Sequence, residues 1–309
     1  MAAFTTNLSG TTQLDDSLVL AFAQSYLVSV GQNNVMDQFV QLREDIGAKS
    51  IQLTKYARLA LATTPLTETD DVTSEAMADS QILLTPAEYG NVVTTTNLAN
   101  LQSGGKADLA AAEIVGLNHG STMDKLAILA LDASTNSYII GGTAAGSVAS
   151  NQVASDVFLN YFYNKLARMS VPTINGAYVM VAHDDVIADL REATGVGSWV
   201  DVTKYATPET VLANEVGMYK GFRVVRDNNA TFADQTGAGT VDLYNSYFVG
   251  ANGLGKAVSQ TGQMVISGPF DKLGRFVNIG WKETCKYGII DQDAVWLGQC
   301  ASSKGANAA

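Results

Sequence analysis

The sequence contains few of the residue types that carry most catalytic chemistry. Its 309 residues include two cysteines, Cys285 and Cys300, and two histidines, His119 and His183. Two cysteines are too few for a secreted disulfide framework and lack the spacing of a zinc site, so we expect buried thiols. A G-x-S-x-G elbow, an H-E-x-x-H pair and a phosphate-binding P-loop are all missing. We therefore expect no enzyme activity, no cofactor and no metal.

The chain also lacks long apolar runs. None approaches the roughly 18 residues of a membrane-spanning helix, and the first ten residues lack the basic and apolar parts of a signal peptide. We therefore expect no membrane partner and a reduced, cytoplasmic site of synthesis. A hydrophobic content of 47% and only five prolines are typical of a folded globular chain.

Basic residues are scarce in the first half of the chain. The net charge is −11, and residues 1–150, with 6 basic and 15 acidic side chains, account for −9 of it. A sequence-specific nucleic-acid binder needs a basic face, so this balance argues against that class of protein. Between Arg58 and Lys106 there is no Lys or Arg at all.

This acidic stretch has the pattern of a long β-hairpin. From Ile51 to Leu61 apolar and polar residues alternate, which predicts a half-buried outbound strand. A polar tip over residues 63–80 precedes return strands at 81–84 and 89–96, and Pro86 places the return at a sheet edge. About twenty residues each way would reach roughly 50–70 Å at about 3.3 Å per residue. Because lone hairpins are marginal in water, we expect this one to rest on another molecule.

The remaining patterns predict an α+β fold. We expect helices at residues 16–30, 107–132, 153–169 and 185–193, and a loop with a short β-like island over residues 134–150. We expect strands at 177–182, 222–225 and 241–249, and closing strands over 276–299. Gly116 and Gly120, inside the longest helix, indicate a close approach by another backbone.

The histidines allow two interpretations each. His119 lies in the long helix and is more simply a satisfied or solvated helix residue than a functional one. His183-Asp184-Asp185 follows a strand and opens a helix, which suggests a metal or proton-transfer site, but Asp at a helix start is also an N-cap, and capping is favoured. Asp70, Asp71 and Glu75 lack the spacing of a calcium loop, so a solvated charge run is favoured there.

Four short strings carry a family resemblance. They are Ala87-Glu88-Tyr89-Gly90-Asn91-Val92-Val93, Pro172 to Tyr178, Asn214 to Val225, and Leu273-Gly274 followed by Gly280-Trp281-Lys282. In their order along about 250 residues, with an arm, an acidic hairpin and a long helix, they resemble the major capsid proteins of tailed bacteriophages. That family has the Hong Kong ninety-seven fold, and the strings resemble the subfamily typified by podophage N-four. Asp271-Lys272-Leu273 departs from it, since the family often has Pro in the middle.

The resemblance implies a role for each segment. Residues 1–46 would be an N-terminal arm and 47–98 an extended loop that overlies a neighbouring subunit. Residues 99–173 and 265–309 would form a peripheral domain with a spine helix at 107–132, and residues 174–264 an axial domain. Some relatives seal the shell by an isopeptide bond from a hairpin lysine. Only Lys55, near the hairpin base, is available here, and we expect no such bond.

The function implied is that of a structural subunit. It would self-assemble as pentamers and hexamers into an icosahedral virion shell, in the bacterial host cytoplasm, around double-stranded DNA that it does not bind sequence-specifically. Portal, scaffold and decoration proteins would be further partners. We expect contacts between subunits at Arg43, Arg58, Glu68, Asp70, Asp71 and Glu75. The alternatives are an encapsulin-like compartment shell and, more remotely, an acidic hydrolase using His183 and Asp185.

Overall fold

The computed structural model describes residues 26–30, 34–69, 71–104, 106–142, 144–193 and 214–304. The α-helices in these ranges, besides a helical turn at 26–30, are α1 (Asn97–Gln102), α2 (Lys106–Asp132), α3 (Asp156–Arg168) and α4 (Asp184–Glu192), and short 3₁₀ helices lie at Met36–Phe39, Ala145–Ser147 and Gln292–Ala294. The strands are β1 (Gln41–Glu44), β2 (Ile51–Tyr56), β3 (Asp79–Leu84), β4 (Ala87–Thr96), β5 (Ser137–Ile139), β6 (Tyr178–Ala182), β7 (Glu215–Tyr219), β8 (Phe222–Arg226), β9 (Phe232–Ala233), β10 (Leu243–Val249), β11 (Leu254–Phe270), β12 (Phe276–Ile289) and β13 (Val295–Cys300).

The first sheet has four strands in the order β1-β11-β12-β4. β11 and β12 form a long antiparallel pair, and β4 runs antiparallel to β12 at the edge, directly after Pro86. α2 packs on one face, where the sulfur of Cys285 lies 3.5 Å from that of Met123. The edge strand predicted after Pro86 is therefore confirmed, but it pairs with β12 of the body and is not a return strand of the hairpin, in which only β3 pairs with β2.

The second sheet follows the order β5-β13-β10-β6-β8-β7, with β9 paired to β10. α3 covers it with an aromatic face, since the Phe162 ring stacks on Phe248 with centroids 3.9 Å apart. The two sheets share one apolar core. It contains Val181 and Tyr247 of the second sheet, Met123 of α2 and Trp281 of the first sheet. β11 begins at Leu254 and runs across the predicted boundary at residue 265, and β13 lies in the second sheet. The domain boundaries that the resemblance implied stay a prediction.

A two-stranded sheet, β2-β3, forms the base of the hairpin and packs on the first sheet through Ile51, Leu53 and Leu84. The hairpin ladder ends at Tyr56, so the prediction of a half-buried strand continuing to Leu61 was wrong. The residues after Tyr56 are exposed because no layer of the protein packs against them. A half-buried strand needs one packed face, so the alternation in the sequence does not produce a strand there.

The longest helix was predicted to within one residue at its start. Gly116 marks a close approach, as predicted: a Cβ there would lie 2.7 Å from the carbonyl oxygen of Tyr26. Most of the predicted helix over residues 16–30 lies outside the described residues. Its described part, residues 26–30, is helical. β11 was not predicted, because Gly255, Gly262, Gly268 and Pro269 break its pattern and its pairing with β12 is shifted at several points.

Candidate functional site

A long exposed loop joins the two strands of the hairpin. Every described residue from Ala57 to Ala78 is exposed, and none lies in a helix or strand. Large apolar side chains recur along it, with exposed fractions of 60% for Leu59, 88% for Leu61, 78% for Leu66, 61% for Val72 and 72% for Met77. Single exposed apolar residues are ordinary, but several on one unsupported segment mark an interaction site.

The base of the hairpin is fixed to the body by packing. Leu84 and Leu53 fit over Gly288 and Gly255, where a Cβ would lie 2.6 Å and 2.7 Å from their respective methyl carbons. The absence of side chains at these two glycines therefore creates the seat for the hairpin. Ile51, Leu53 and Leu84 are buried against Ala257 and Ile290 of the body.

Polar contacts continue the anchor beyond this seat. Nζ of Lys55 lies 2.5 Å from Oδ1 of Asp291 and 3.9 Å from Oδ2 of Asp293. The guanidinium of Arg58 donates to the carbonyl oxygen of Ser170. Lys55 is thus engaged in ion pairs within its own chain. These contacts aim the loop away from the first sheet, past Asp291 and toward the end of α3.

A buried ionic network ties the N-terminal segment to the first sheet. Nζ of Lys256 lies 2.8 Å from Oδ2 of Asp37 and 3.1 Å from Oε1 of Glu283. Nε2 of His119 lies 2.7 Å from Oε2 of Glu283, and its Nδ1 lies 2.6 Å from the hydroxyl of Tyr26. Of the two structural roles that the sequence left open for His119, satisfied or solvated, the structure shows the satisfied one, and the ring stacks on Trp281.

The network also sets the charge state of its members. Burial alone would raise the pKa of Glu283, but the hydrogen bond from His119 and the charge of Lys256 outweigh it, and the pKa is lowered. Burial likewise opposes the charge of Lys256, yet Asp37 and Glu283 hold its pKa above the ordinary value. Burial and the same acids raise the pKa of the Cys285 thiol to about 12, so this cysteine is an unreactive core residue.

A second buried contact involves two carboxyl groups. Oδ1 of Asp124 accepts hydrogen bonds from the amides of Val35 and Met36, at 3.2 Å and 3.1 Å, and caps the turn that begins there. Burial, a side-chain hydrogen bond with Asp124 and the negative charge of Asp124 together raise the pKa of the neighbouring Asp227 to about 8. The shift favours the protonated, neutral form of Asp227.

The proposed contact residues are dispersed on the surface. Arg43 lies exposed on β1, and Arg58, Glu68, Asp71 and Glu75 lie exposed along the loop, while Asp70 falls outside the described residues. No ion pair joins any of these five in the part of the chain that is described. Their role as contacts between subunits therefore stays a prediction.

His183 and Asp185 form a helix cap. His183, rather than an aspartate, is the N-cap of α4: its Nδ1 accepts from the amide of Asp185 at 3.3 Å, which corrects the predicted Asp cap. Oδ2 of Asp185 accepts a hydrogen bond from the hydroxyl of Tyr244. Both side chains are thus engaged in local structure.

Sequence reasoning missed the ionic network around Glu283. Asp37 and Lys256 are 219 residues apart, and His119 and Glu283 are 164 apart, so no local pattern connects them. Over the described ranges, no cluster of three or more metal-ligating side chains occurs, and no helix is long and apolar enough to cross a membrane.

Comparisons with known proteins bear on the fold. No protein-family model and no curated protein matches the sequence. Among solved structures, the capsid of Ralstonia phage GP4 superposes with a TM-score of 0.73 at 13% identity, covering 89% of this chain and 93% of that one. The capsid of cyanophage Pam1 gives 0.65 at 13% identity, covering 86% and 89%. A virus-like particle from Pyrococcus furiosus gives 0.58 at 12% identity, covering 91% and 98%.

These similarities define the class of fold. The chain is an α+β protein that shares its fold with these capsid chains: two sheets sharing a core, a long helix along one sheet and a projecting loop. This architecture is the Hong Kong ninety-seven fold of tailed-phage capsid proteins, as the sequence resemblance implied. The N-four subfamily stays a prediction.

Proposed function

We propose that this chain is the major capsid protein of a tailed phage and forms the icosahedral shell around its DNA. One observation carries the proposal: residues 57–78 project from the body with five exposed apolar side chains, within a fold that phage capsids share over most of the chain. Fully burying one such side chain stabilises by about 1.5–3 kcal/mol, so a neighbouring copy that covers the loop gives a strong contact.

A shell needs contacts that close on themselves. The same surfaces must work in rings of five and six, and a long loop provides interface area while tolerating small changes of angle. The net charge of −11 supports a container wall that makes few phosphate contacts with the enclosed DNA. Portal, scaffold and decoration proteins are further proposed partners, with assembly in the host cytoplasm.

The contacts proposed from the sequence remain part of this hypothesis. Arg43, Arg58, Glu68, Asp70, Asp71 and Glu75 would help to set the register between subunits. Exposed ion pairs contribute only about 0–1 kcal/mol each, so they act on register more than on total stability. An encapsulin-like compartment has the same architecture, and the contents of the particles, DNA or cargo protein, distinguish the two.

The test is assembly with and without the loop. Ala57 N lies 2.9 Å from Ala78 O, so an Asn-Gly turn can replace residues 58–77 and close the hairpin without strain. We expect the full chain, co-expressed with its neighbouring phage head genes, to sediment as closed shells that hold nuclease-resistant DNA after infection. The shortened variant should fold with an unchanged melting temperature but fail to assemble. Shells formed equally well without the loop would contradict the proposal.

A further inference from the structure

Two carboxyl groups are buried at the junction of three segments of the chain. Asp124 belongs to α2 and is 0% exposed, and Asp227, directly after β8, is 4% exposed. The amide of Asp227 donates to the carbonyl oxygen of Ala182 in β6, so this residue is fixed to the second sheet. The third segment is residues 34–39, which contain the 3₁₀ helix Met36–Phe39 and which we call the 34–39 turn. The carboxyl pair therefore lies between this turn, α2 and the second sheet.

The 34–39 turn takes its cap from α2. The N-cap residue of its 3₁₀ helix is Val35, whose side chain has no hydrogen-bond acceptor. The amides of Val35 and Met36 donate instead to Oδ1 of Asp124, at 3.2 Å and 3.1 Å. The first amides of a helix have no partner within the helix, so the Asp124 carboxylate supplies the acceptor that Val35 lacks. Because Met36 and Phe39 are buried directly after this contact, the position of Asp124 determines how the turn is held.

The hydrogen bonds around the pair leave one site for a proton. Oδ2 of Asp124 accepts from the side-chain amide of Asn229 at 3.0 Å, so with Val35 and Met36 three of the roughly four acceptor sites of this carboxylate are filled. Oδ1 of Asp227 accepts from the backbone amide of Asn229 at 2.8 Å, whereas its Oδ2 is buried without a donor among the described residues. Two bare carboxylates offer acceptors alone, so they form a hydrogen bond only when one carries a proton. A metal ion fits less well, because it needs several oxygen ligands.

The surrounding groups favour a proton on Asp227. Burial, the hydrogen bond with Asp124 and the charge of Asp124 raise the pKa of Asp227 to about 8, against the opposing effects of the Asn229 amide and the Lys125 charge. Nζ of Lys125 remains beside the pair and donates to the carbonyl oxygen of Asn229 at 3.0 Å. The other ionisable groups of the adjoining elements have partners of their own: Asp132 accepts from Tyr247, Arg226 pairs with Asp184, and Asp37 pairs with Lys256.

We propose that a proton shared by Asp227 and Asp124 holds the 34–39 turn on α2, and that loss of this proton at alkaline pH releases the turn while the two sheets stay folded. Without the proton, two negative charges face each other in a buried site, which is strongly unfavourable. Asp124 then turns toward water, and the amides of Val35 and Met36 lose their acceptor. This device belongs to the single chain and does not depend on the proposed function.

Amide hydrogen exchange of the full-length, unassembled wild-type chain tests this release. We expect the protection of residues 34–39, corrected for the intrinsic pH dependence of exchange, to fall about tenfold between pH 7 and pH 9, because the fraction of Asp227 without a proton rises from about one tenth to about nine tenths. The protection of β12 should stay unchanged over the same range. A turn that keeps its protection at pH 9, or that loses it to the same extent as β12, would overturn the proposal.

Asp227→Asn removes the titration and keeps a hydrogen-bond donor toward Asp124. We expect the 34–39 turn of this variant to be as protected at pH 9 as that of the wild type at pH 7. Asp189→Asn is the matched control, since Asp189 is a buried aspartate of α4 that accepts from Ser303, and it should keep the wild-type pH dependence. An Asp227→Asn chain that still loses protection between pH 7 and pH 9 would assign the titration to another group and overturn the proposal. The wild-type measurement decides the question if the variant does not fold.

Discussion

Nζ of Lys55 lies 2.5 Å from Oδ1 of Asp291, and 236 residues separate the two along the chain. The pair joins the end of the β2–β3 ladder to the loop that follows β12. It lies where the chain stops packing on its own body and the exposed loop begins, so we expect it to act on the direction of the loop more than on the stability of the core.

We therefore expect Lys55→Met to free the loop without unfolding the body. Partly exposed ion pairs contribute up to about 1 kcal/mol, so the free energy of unfolding should change by no more than that. Trypsin should cleave faster after Arg58, whose guanidinium contact with Ser170 depends on the same geometry. Lys49→Met, at an exposed position before β2, is the control. Equal cleavage rates in the two variants would show that the pair does not position the loop.

Lys256 should matter far more to stability. It is the buried cation between Asp37 and Glu283, and removing one partner of a buried ionic group typically costs about 3–5 kcal/mol. We expect Lys256→Met to lose about that amount in denaturant unfolding of the unassembled chain. Lys282→Met, on the outward side of the adjacent strand, should change the free energy of unfolding by less than about 0.5 kcal/mol. Similar losses in both variants would contradict the network.

Asp227 gives the protein a pH dependence of definite sign. Its pKa is about 8 in the folded chain against an ordinary value of 3.8, so between these pH values the folded state holds a proton that the unfolded state has lost. Stability from this group is therefore complete below about pH 4 and is lost as the pH rises toward 8.

Asp227→Asn should remove that dependence. The amide stays neutral and can still donate to Asp124, so the variant should be more stable than wild type at pH 9, by at least about 1 kcal/mol since one pKa unit is worth about 1.4 kcal/mol. Thermal unfolding at pH 5, 7 and 9 measures this. A variant less stable than wild type at pH 9 would mean that the Asp227 carboxylate is ionised and favourable there.

The substitution Gly116→Ala has two opposite effects on the stability of the protein, a gain from helix propensity and a loss from steric overlap. Alanine in a helix interior is better than glycine by about 1 kcal/mol. A Cβ at position 116 would lie 2.7 Å from the carbonyl oxygen of Tyr26 and 2.9 Å from Cβ of Ser29, so it displaces the helical turn at 26–30. Overpacking of this kind typically costs about 1–3 kcal/mol, and we expect a net loss of stability in denaturant unfolding. A stabilised variant would contradict the close approach.

The sequence predicted the elements whose pattern is local and unbroken. α2 has no proline and its ends are marked by Gly105 and Ser134, and the ladder of β2 and β3 follows directly from alternation. The order of short strings then indicated the fold. β11 was not predicted because its glycines and bulges obscure the alternation with a period of two. Its strand conformation is stabilised by tertiary pairing with β12.

The candidate site was predicted only in part. The acidic, exposed loop is visible as a run without basic residues, and the structure keeps it exposed. The surroundings of Lys282 are invisible in sequence, because Gly90 and Gln263 come from two distant strands whose register with β12 exists only after folding. The same holds for His119 and Glu283, which a helix and a distant strand bring to 2.7 Å.

The most direct measurement is electron microscopy, with sedimentation, of the full chain co-expressed with its neighbouring phage head genes. We predict closed icosahedral shells built from rings of five and six subunits, with density for residues 57–78 of each subunit on the body of the next. A stable monomer or small oligomer that never assembles under these conditions would contradict the account.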